Sequence, residues 1–222
     1  MMNTLKNKSY KLVIFDLDGT ILNTLDDLAD SLNAVFKMIG YQKRTVDEVR
    51  SFVGNGVMKL IERAVPKDTS KEDILKTFKM FSEYYQAHCA IKTKPYDGII
   101  EMLHALKEKG CKIAVASNKI HPAVVSLCND YYPGLVDVAV GDDPIRPKKP
   151  HPAMVNYVLD KLNISKENTL YVGDSDVDVL TAKNAGIDCV AVDWGFRTKE
   201  FLIQSGAGLI ISNPQELIDI IE

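Results

Sequence analysis

Residues 11–24, KLVIFDLDGTILNT, contain an apolar run that ends at two aspartates separated by one residue. Residues 12–15 form a short continuous apolar run, which is typical of a parallel strand buried on both faces. Asp16 and Asp18 follow at the carboxyl end of this predicted strand, where open α/β sheets place their ligands. Gly19 lets the backbone turn away without an obstructing side chain.

Asp16 and Asp18 repel each other at this spacing unless a cation lies between them or one of them holds a proton. The pair therefore indicates a metal site or proton-transfer chemistry. The alternative is that Asp18 and Gly19 form a common turn dipeptide and that Asp16 is a solvated strand end.

The composition is that of a soluble globular protein. Among 222 residues, 46% are hydrophobic and 26% are charged, and the length allows one core domain with a smaller insert. A net charge of −3 offers no basic surplus for nucleic acid or an anionic membrane. The amino end lacks an apolar signal segment, and no apolar run reaches the ~18 residues of a membrane span. We therefore expect a cytoplasmic protein with no nucleic-acid or membrane partner.

The order of predicted elements indicates an α/β core with a helical insertion. Residues 20–95 show several helical patterns and no convincing strand. This segment is too long for a simple crossover between parallel strands. After them, strands alternate with helices, as in a doubly wound parallel sheet. We therefore predict a Rossmann-like core of residues 1–22 and 96–222, and an α-helical cap subdomain of residues 23–95.

Three later segments place polar groups at predicted strand or loop ends. Ser117 and Asn118 follow an apolar strand and offer donors to phosphate oxygens, although a helix cap is the alternative interpretation. Lys148 and Lys149 lie in the proline-stiffened loop RPKKPHP, which can hold a lysine in a defined place; a basic surface turn is the alternative. Asp174, Asp176 and Asp178 follow a buried strand and are the ligand type of a magnesium site.

In this order, DLDGT, Ser-Asn, Lys-Pro-His-Pro and GDSDVD resemble the four motifs of the haloacid dehalogenase-like (HAD) phosphohydrolases. The resemblance places residues 23–95 at the position of the family's C1 cap. It implies a phosphatase that forms an aspartyl-phosphate on Asp16, with Asp18 as general acid and base. Further implied roles are a Mg²⁺ site of Asp16, the Asp18 carbonyl and Asp174, phosphate binding by Ser117, Asn118 and Lys149, and support from Thr20 and Asp178.

The predicted cap carries a candidate specificity segment. Gly54, Asn55 and Gly56 open a helix whose N–H groups suit a substrate carboxylate, and Lys59 and Arg63 share one face of it. An Asn-Gly turn beside a solvated basic face is the alternative.

The run GNG, followed by a helix with Glu62, Arg63 and Ala64, resembles phosphoglycolate phosphatases, which implies 2-phosphoglycolate as the small phosphorylated substrate. We expect a monomer or a homodimer. A pyrophosphatase, a nucleotidase, a β-phosphoglucomutase-like enzyme and a non-catalytic phospho-ligand binder remain alternatives.

Overall fold

The computed structural model describes residues 8–221 of the chain. They divide into two compact units, of which the smaller is Asn23–Lys94 and the larger contains the residues before and after it. The amino-terminal residues 1–7, where the sequence predicts no signal segment, lie outside the described residues. In the described part of the chain, no helix has both the length and the apolar character needed to cross a membrane.

Strands of the larger unit form a parallel sheet. In chain order, the strands within residues 8–221 are β1 (Leu12–Phe15), β2 (Leu22–Asn23), β3 (Lys94–Pro95), β4 (Lys112–Ile120), β5 (Val138–Asp142), β6 (Thr169–Gly173), β7 (Asp188–Val192) and β8 (Ile210–Ile211). Six of them form one sheet in the order β5-β4-β1-β6-β7-β8, and every neighbouring pair is parallel. This sheet confirms the predicted doubly wound α/β class.

The helices alternate with these strands in the larger unit and follow one another directly in the smaller one. The smaller unit contains α1 (Leu25–Ile39), α2 (Val46–Phe52), α3 (Val57–Ala64) and α4 (Lys71–His88). The larger unit contains α5 (Ile99–Glu108), α6 (His121–Tyr131), α7 (Ala153–Leu162), α8 (Asp176–Ala185), α9 (Lys199–Gln204) and α10 (Pro214–Ile220).

Strand β1 lies in the middle of the sheet and is buried on both faces. Val13 and Phe15 pack with residues of α5, α6 and α10, whereas Leu12 and Ile14 pack with residues of α7 and α8 on the other face. All four side chains are fully buried, which explains why this strand is continuously apolar instead of alternating. The strand therefore delivers Asp16 to the carboxyl edge of the sheet from a rigid, central position.

The smaller unit is helical, as the sequence predicts, and two of its helices, α2 and α4, have side-chain caps at their starts. Thr45 and Glu48 form a reciprocal capping box at the start of α2, and Gly40 ends α1 in the left-handed conformation. One set of hydrogen bonds within the smaller unit was not predicted. The carboxylate of Asp27, which is 2% exposed, accepts hydrogen bonds from the backbone N–H groups of residues 91–93.

The structure corrects three details of the predicted elements. The expectation of no strand between residues 20 and 95 is wrong, since β2 and β3 form a two-stranded sheet; each is too short to produce a periodic signal. The sequence VDVAV at residues 136–140 also predicts a strand, and the corresponding strand β5 begins two residues later, at Val138. Strand β4 does not end before Ser117 but continues to Ile120, with a shift in its register against β5 after Ala116.

Candidate active site

Asp16 directly follows β1 and forms an ion pair with the buried Lys149. Its N–H donates to the carbonyl of Val172 in β6 at 2.9 Å, which fixes the backbone to the sheet. Its Oδ1 accepts from the N–H of Leu17 at 2.7 Å and lies 2.9 Å from Nζ of Lys149. The Asp16 side chain is 13% exposed, so it can face a ligand while the Lys149 side chain is almost fully buried.

Lys149 joins three polar groups that come from different elements. Its Nζ lies 2.9 Å from Asp16 Oδ1, 2.8 Å from Asp178 Oδ1 and 3.0 Å from the hydroxyl of Tyr171. Its backbone is held by Asn118, whose Oδ1 accepts from the Lys149 N–H at 2.9 Å and whose Nδ2 donates to the Lys149 carbonyl at 3.1 Å. Contacts therefore hold both the ammonium group and the backbone of Lys149 in place.

Asp178 supports the site from the first turn of α8. Its Oδ2 accepts from the N–H of Ser175 at 3.1 Å and from its hydroxyl at 2.6 Å, as in a capping box. Its Oδ1 accepts from Lys149 and, at 3.1 Å, from Tyr171. Because both oxygens already have donors and the residue is fully buried, Asp178 orients Lys149 and is less open to a ligand than Asp16.

Asp174 follows β6 and is also held by neighbours. Its Oδ2 accepts from the N–H of Phe196 at 2.7 Å, and its Oδ1 accepts from the hydroxyl of Thr20 at 3.3 Å. A methyl group at Gly19 would overlap the Asp174 carboxylate and the Phe196 ring, and one at Gly195 would overlap Asp174 and the Gly19 carbonyl. Glycine at these two positions is what permits the close approach of Asp174.

The acids form a cluster with more negative charge than its lysine can balance. One carboxylate oxygen each from Asp16, Asp174 and Asp178 lies within 4.8 Å of the others, a distance that suits a shared metal ion. Burial raises the pKa of Asp16 to about 7, although Lys149 opposes this shift. Burial, followed by Asp178 and Asp16, also raises the pKa of Asp174 well above its usual value. A cation would reduce the electrostatic repulsion among these carboxylates.

The pKa of Lys149 is raised, although burial by itself would lower it. Burial by itself lowers the pKa of an ammonium, but Asp16 and Asp178 outweigh this effect and hold the Lys149 pKa well above its ordinary value. Lys149 therefore keeps its positive charge throughout the neutral range. A permanent cation beside Asp16 suits the binding of an anion there.

Asp18 lies beyond Asp16 and contacts a second buried lysine that the sequence analysis missed. Nζ of Lys119 is 2.9 Å from Oδ1 and 3.2 Å from Oδ2 of Asp18. The Lys119 side chain is 5% exposed and that of Asp18 is 21% exposed. A signal for Lys119 was available in the sequence, because residues two positions apart in a strand, such as Ser117 and Lys119, share one face of the sheet. It was missed because the strand was expected to end at Ser117.

Ser117 and Asn118 lie within β4 rather than at a helix start. Helix α6 begins at His121 with Ile120 as its N-cap and no capping side chain, so the helix-cap alternative is wrong. The Ser117 hydroxyl accepts from the N–H of Lys119 at 3.2 Å. Tyr171, which the sequence analysis also missed, is a fully buried tyrosine in an apolar strand. Its hydroxyl needs a polar partner, which was the signal for it.

The candidate specificity segment lies in the smaller unit. Helix α3 begins after Gly56, which has a φ of 85° and no capping side chain. Arg63 donates to the carbonyl of Phe52 at 2.7 Å and to Oδ1 of Asn55 at 2.8 Å, so it shapes the loop that contains Gly54. Lys59 pairs with Glu62 at 2.5 Å on the exposed surface.

Comparisons with known proteins identify the family. Residues 13–192 match the model of the haloacid dehalogenase-like hydrolases, and the chain belongs to this family.

Within the family, the chain is similar to phosphoglycolate phosphatases. The enzyme of that name from Colwellia psychrerythraea is 32% identical, over 96% of this chain and 98% of its own length. The one from Aquifex aeolicus is also 32% identical, over 96% and 97% respectively. A crystal structure from Lactobacillus delbrueckii subsp. bulgaricus has a TM-score of 0.93 at 34% identity and covers 96% of this chain and 98% of its own.

Proposed function

We propose that the protein is a Mg²⁺-dependent phosphatase that hydrolyses 2-phosphoglycolate through an aspartyl-phosphate on Asp16. The main observation in support is that the carboxylate of Asp16 lies 2.9 Å from the positively charged Lys149 and belongs to an acidic cluster with Asp174. A turn with a solvated aspartate would not need this buried arrangement. The phosphoglycolate phosphatases that resemble the chain over nearly its whole length support the substrate.

The residues present fit a magnesium ion. Mg²⁺ prefers oxygen ligands and binds through one or two carboxylates while it keeps room for water and phosphate. Asp16 and Asp174 would supply the carboxylates, and the backbone carbonyl of Asp18 would supply the third protein ligand. The bound ion offsets charge on the phosphate and on the nucleophile.

In the first half of the reaction, a carboxylate oxygen of Asp16 attacks phosphorus. A new bond forms between this oxygen and phosphorus, and the bond from phosphorus to the ester oxygen breaks. Asp18 gives its proton to the departing oxygen, so that the product leaves as an alcohol. Covalent catalysis of this kind divides one difficult displacement into two easier ones.

In the second half, water attacks the aspartyl-phosphate at phosphorus. Asp18, now a carboxylate, takes a proton from this water, and the bond between phosphorus and Asp16 breaks. Inorganic phosphate leaves, and both aspartates return to their starting states. The sum of the two halves is one ester and one water converted to one alcohol and one phosphate.

The surrounding side chains bind phosphate or hold the reacting groups in place. Lys149 would contact phosphate oxygens from its fixed position, and the hydroxyl of Ser117 would donate to another. The family resemblance implies a phosphate-binding role for Asn118, but its amide is bound to the backbone of Lys149, so we assign it a positioning role. Asp178 and Thr20 orient Lys149 and Asp174 respectively.

We further propose that Asn23–Lys94 is the cap of this enzyme and that Gly54, Asn55 and Gly56 contribute to substrate selection. The N–H groups at the start of α3 suit an anion. Arg63 acts through its bonds to residues 52 and 55, which set the shape of this loop, and Lys59 adds surface charge.

The test is phosphate release from 2-phosphoglycolate, pyrophosphate, nucleoside monophosphates and sugar phosphates, each with Mg²⁺ and with chelator. We expect chelator-sensitive turnover with the largest kcat/KM for 2-phosphoglycolate. A preference for pyrophosphate, a nucleotide or a sugar phosphate would replace the substrate and leave the core mechanism. Phosphate binding without metal-dependent turnover of any ester would favour the non-catalytic alternative and reject the mechanism.

A further inference from the structure

Lys119 is a buried cation to which the steps above give no task. Lys149 already supplies the ammonium beside Asp16, and Lys119 is instead placed against Asp18, with Nζ at 2.9 Å from Oδ1. Removing a lysine side chain from water is costly unless it meets opposite charge. The carboxylate of Asp18 supplies such a charge. The position of Lys119 beside Asp18 also places it near the leaving group.

The leaving group of the substrate must pass close to Lys119. In the proposed reaction Asp18 gives a proton to the ester oxygen, so a carboxylate oxygen of Asp18 and the ester oxygen approach within about 2.7 Å. Lys119 Nζ lies at 2.9 Å from that same carboxylate. In a glycolate leaving group the carboxylate carbon is two bonds from the ester oxygen, which puts the carboxylate oxygens within about 3–4 Å of it. A carboxylate there is within reach of Lys119.

We propose that Lys119 determines specificity by binding the carboxylate of the leaving group. The substrate class is then a phosphate ester of a 2-hydroxy acid, in which the carboxylate is adjacent to the carbon that carries the ester oxygen. An ammonium has three N–H donors, so Lys119 can bind this carboxylate while it keeps a bond to Asp18. The inference rests on the proposed phosphatase function and specifies its substrate.

This assignment moves part of the selectivity into the larger unit. In the candidate segment of the smaller unit, Lys59 is 56% exposed and paired with Glu62, and the guanidinium of Arg63 binds its own loop. Lys119, by contrast, is 5% exposed and contacts the proposed acid directly. An ion pair shielded from water discriminates more strongly than an exposed one.

The experiment compares 2-phosphoglycolate with its amide, 2-phosphoglycolamide, which has nearly the same shape and no carboxylate. kcat/KM is measured for both esters, with Mg²⁺, in the wild type and in Lys119→Met and Lys119→Ala. The Met variant keeps an unbranched apolar stem in the buried position, and the thermal midpoint of each variant reports folding. Lys112→Gln is the matched control, because Lys112 lies on the same strand, its side chain is 53% exposed and its ammonium pairs with Asp137.

We expect the wild type to prefer the acid over the amide by at least tenfold. In both Lys119 variants this ratio should fall by about 10- to 100-fold, the worth of a hydrogen bond to a charged group. Lys112→Gln should keep the wild-type ratio. Equal losses for the acid and the amide would show that Lys119 only positions Asp18, and would overturn the inference while the phosphatase stands.

The wild type provides a second test that needs no variant. If it hydrolyses the acid and the amide with equal kcat/KM, no carboxylate is recognised, and the inference fails although the phosphatase function remains. If it hydrolyses neither ester nor any other member of the panel with Mg²⁺, the proposed function itself fails. The two failures are therefore distinguishable.

Discussion

The side-chain amide of Asn118 binds both main-chain polar groups of Lys149, accepting from its N–H at 2.9 Å and donating to its carbonyl at 3.1 Å. A residue of β4 thus fixes the backbone of a residue that lies in a loop 31 positions later. The ammonium of Lys149 depends on this loop position to meet Asp16. Asn118 is therefore expected to act on catalysis through Lys149.

Replacing Asn118 with alanine should lower kcat by about 10- to 100-fold and change KM less, because the loop of Lys149 loses two buried hydrogen bonds. The check is a double-mutant cycle with Lys149→Ala, measured as kcat with 2-phosphoglycolate. If Asn118 acts through Lys149, the double variant should be no slower than Lys149→Ala alone. Multiplied losses in the double variant would instead indicate an independent contact with phosphate.

Asp16→Asn should reduce kcat by about 10⁴-fold or more, as the loss of other covalent nucleophiles does. Borohydride reduction during turnover should convert the acyl phosphate at position 16 of the wild type to an alcohol, detected by peptide mass spectrometry, and should leave Asp16→Asn unmodified. Asp130→Asn, an exposed aspartate on α6, serves as control and should keep wild-type activity. Near-normal turnover in Asp16→Asn would reject the assigned nucleophile.

Mg²⁺ affinity should rise with pH. Burial raises the pKa of Asp16 to about 7 in the metal-free protein, and a proton there competes with the cation. Below pH 7 the protonated form dominates and weakens binding; above it the carboxylate is free to bind. For one such proton the dissociation constant should fall about tenfold from pH 6 to pH 8.

The measurement for this pH dependence is calorimetric titration of Mg²⁺ at pH 6, 7 and 8, in buffers that differ in protonation enthalpy. Proton release on binding should be largest at pH 6. An affinity that is the same at pH 6 and pH 8, with no proton released, would contradict the placement of Asp16 in the cation site.

Gly19→Ala should weaken both metal binding and activity. Its backbone has a φ of 90°, and the added methyl would overlap Asp174 and Phe196. Gly110 has a φ of 81° with open space around it, so Gly110→Ala carries the same backbone penalty alone. Gly110→Ala should lose about 1–2 kcal/mol in the free energy of unfolding, and Gly19→Ala should lose more, because its methyl also overlaps buried neighbours. Only Gly19→Ala should also lower Mg²⁺ affinity and kcat, by tenfold or more; equal activities would exclude the displacement of Asp174.

Asp27→Ala should destabilise the smaller unit by about 2–4 kcal/mol, because it removes the acceptor of three backbone N–H groups at residues 91–93. Asp30→Ala on the same helix is the control. Asp30 is 62% exposed and pairs with Lys92, so its loss should cost under about 0.5 kcal/mol. Amide hydrogen exchange should show the loss of protection at residues 91–93 in Asp27→Ala alone; similar exchange in both variants would contradict this role.

Much of the fold was predictable from the sequence because its signals are local. The apolar run of β1, the alternation of strands and helices, and the capping box of Thr45 and Glu48 each occupy a few neighbouring residues. The short strands β2 and β3 were missed because two residues carry no period. The extension of β4 was missed because polar residues follow its apolar part, and this hid Lys119.

The sequence alone shows that acids, hydroxyl groups and a lysine follow apolar strands in a set order. Which of them meet in space depends on how the strands and helices pack together. Lys119 pairs with Asp18 across 101 positions, because β4 lies next to β1 in the sheet. Lys149 binds Tyr171 and Asp178 because they come from β6 and α8, on the other side of β1. Such pairs depend on strand order and on the burial that makes an unpaired charge costly, and neither is encoded in a local pattern.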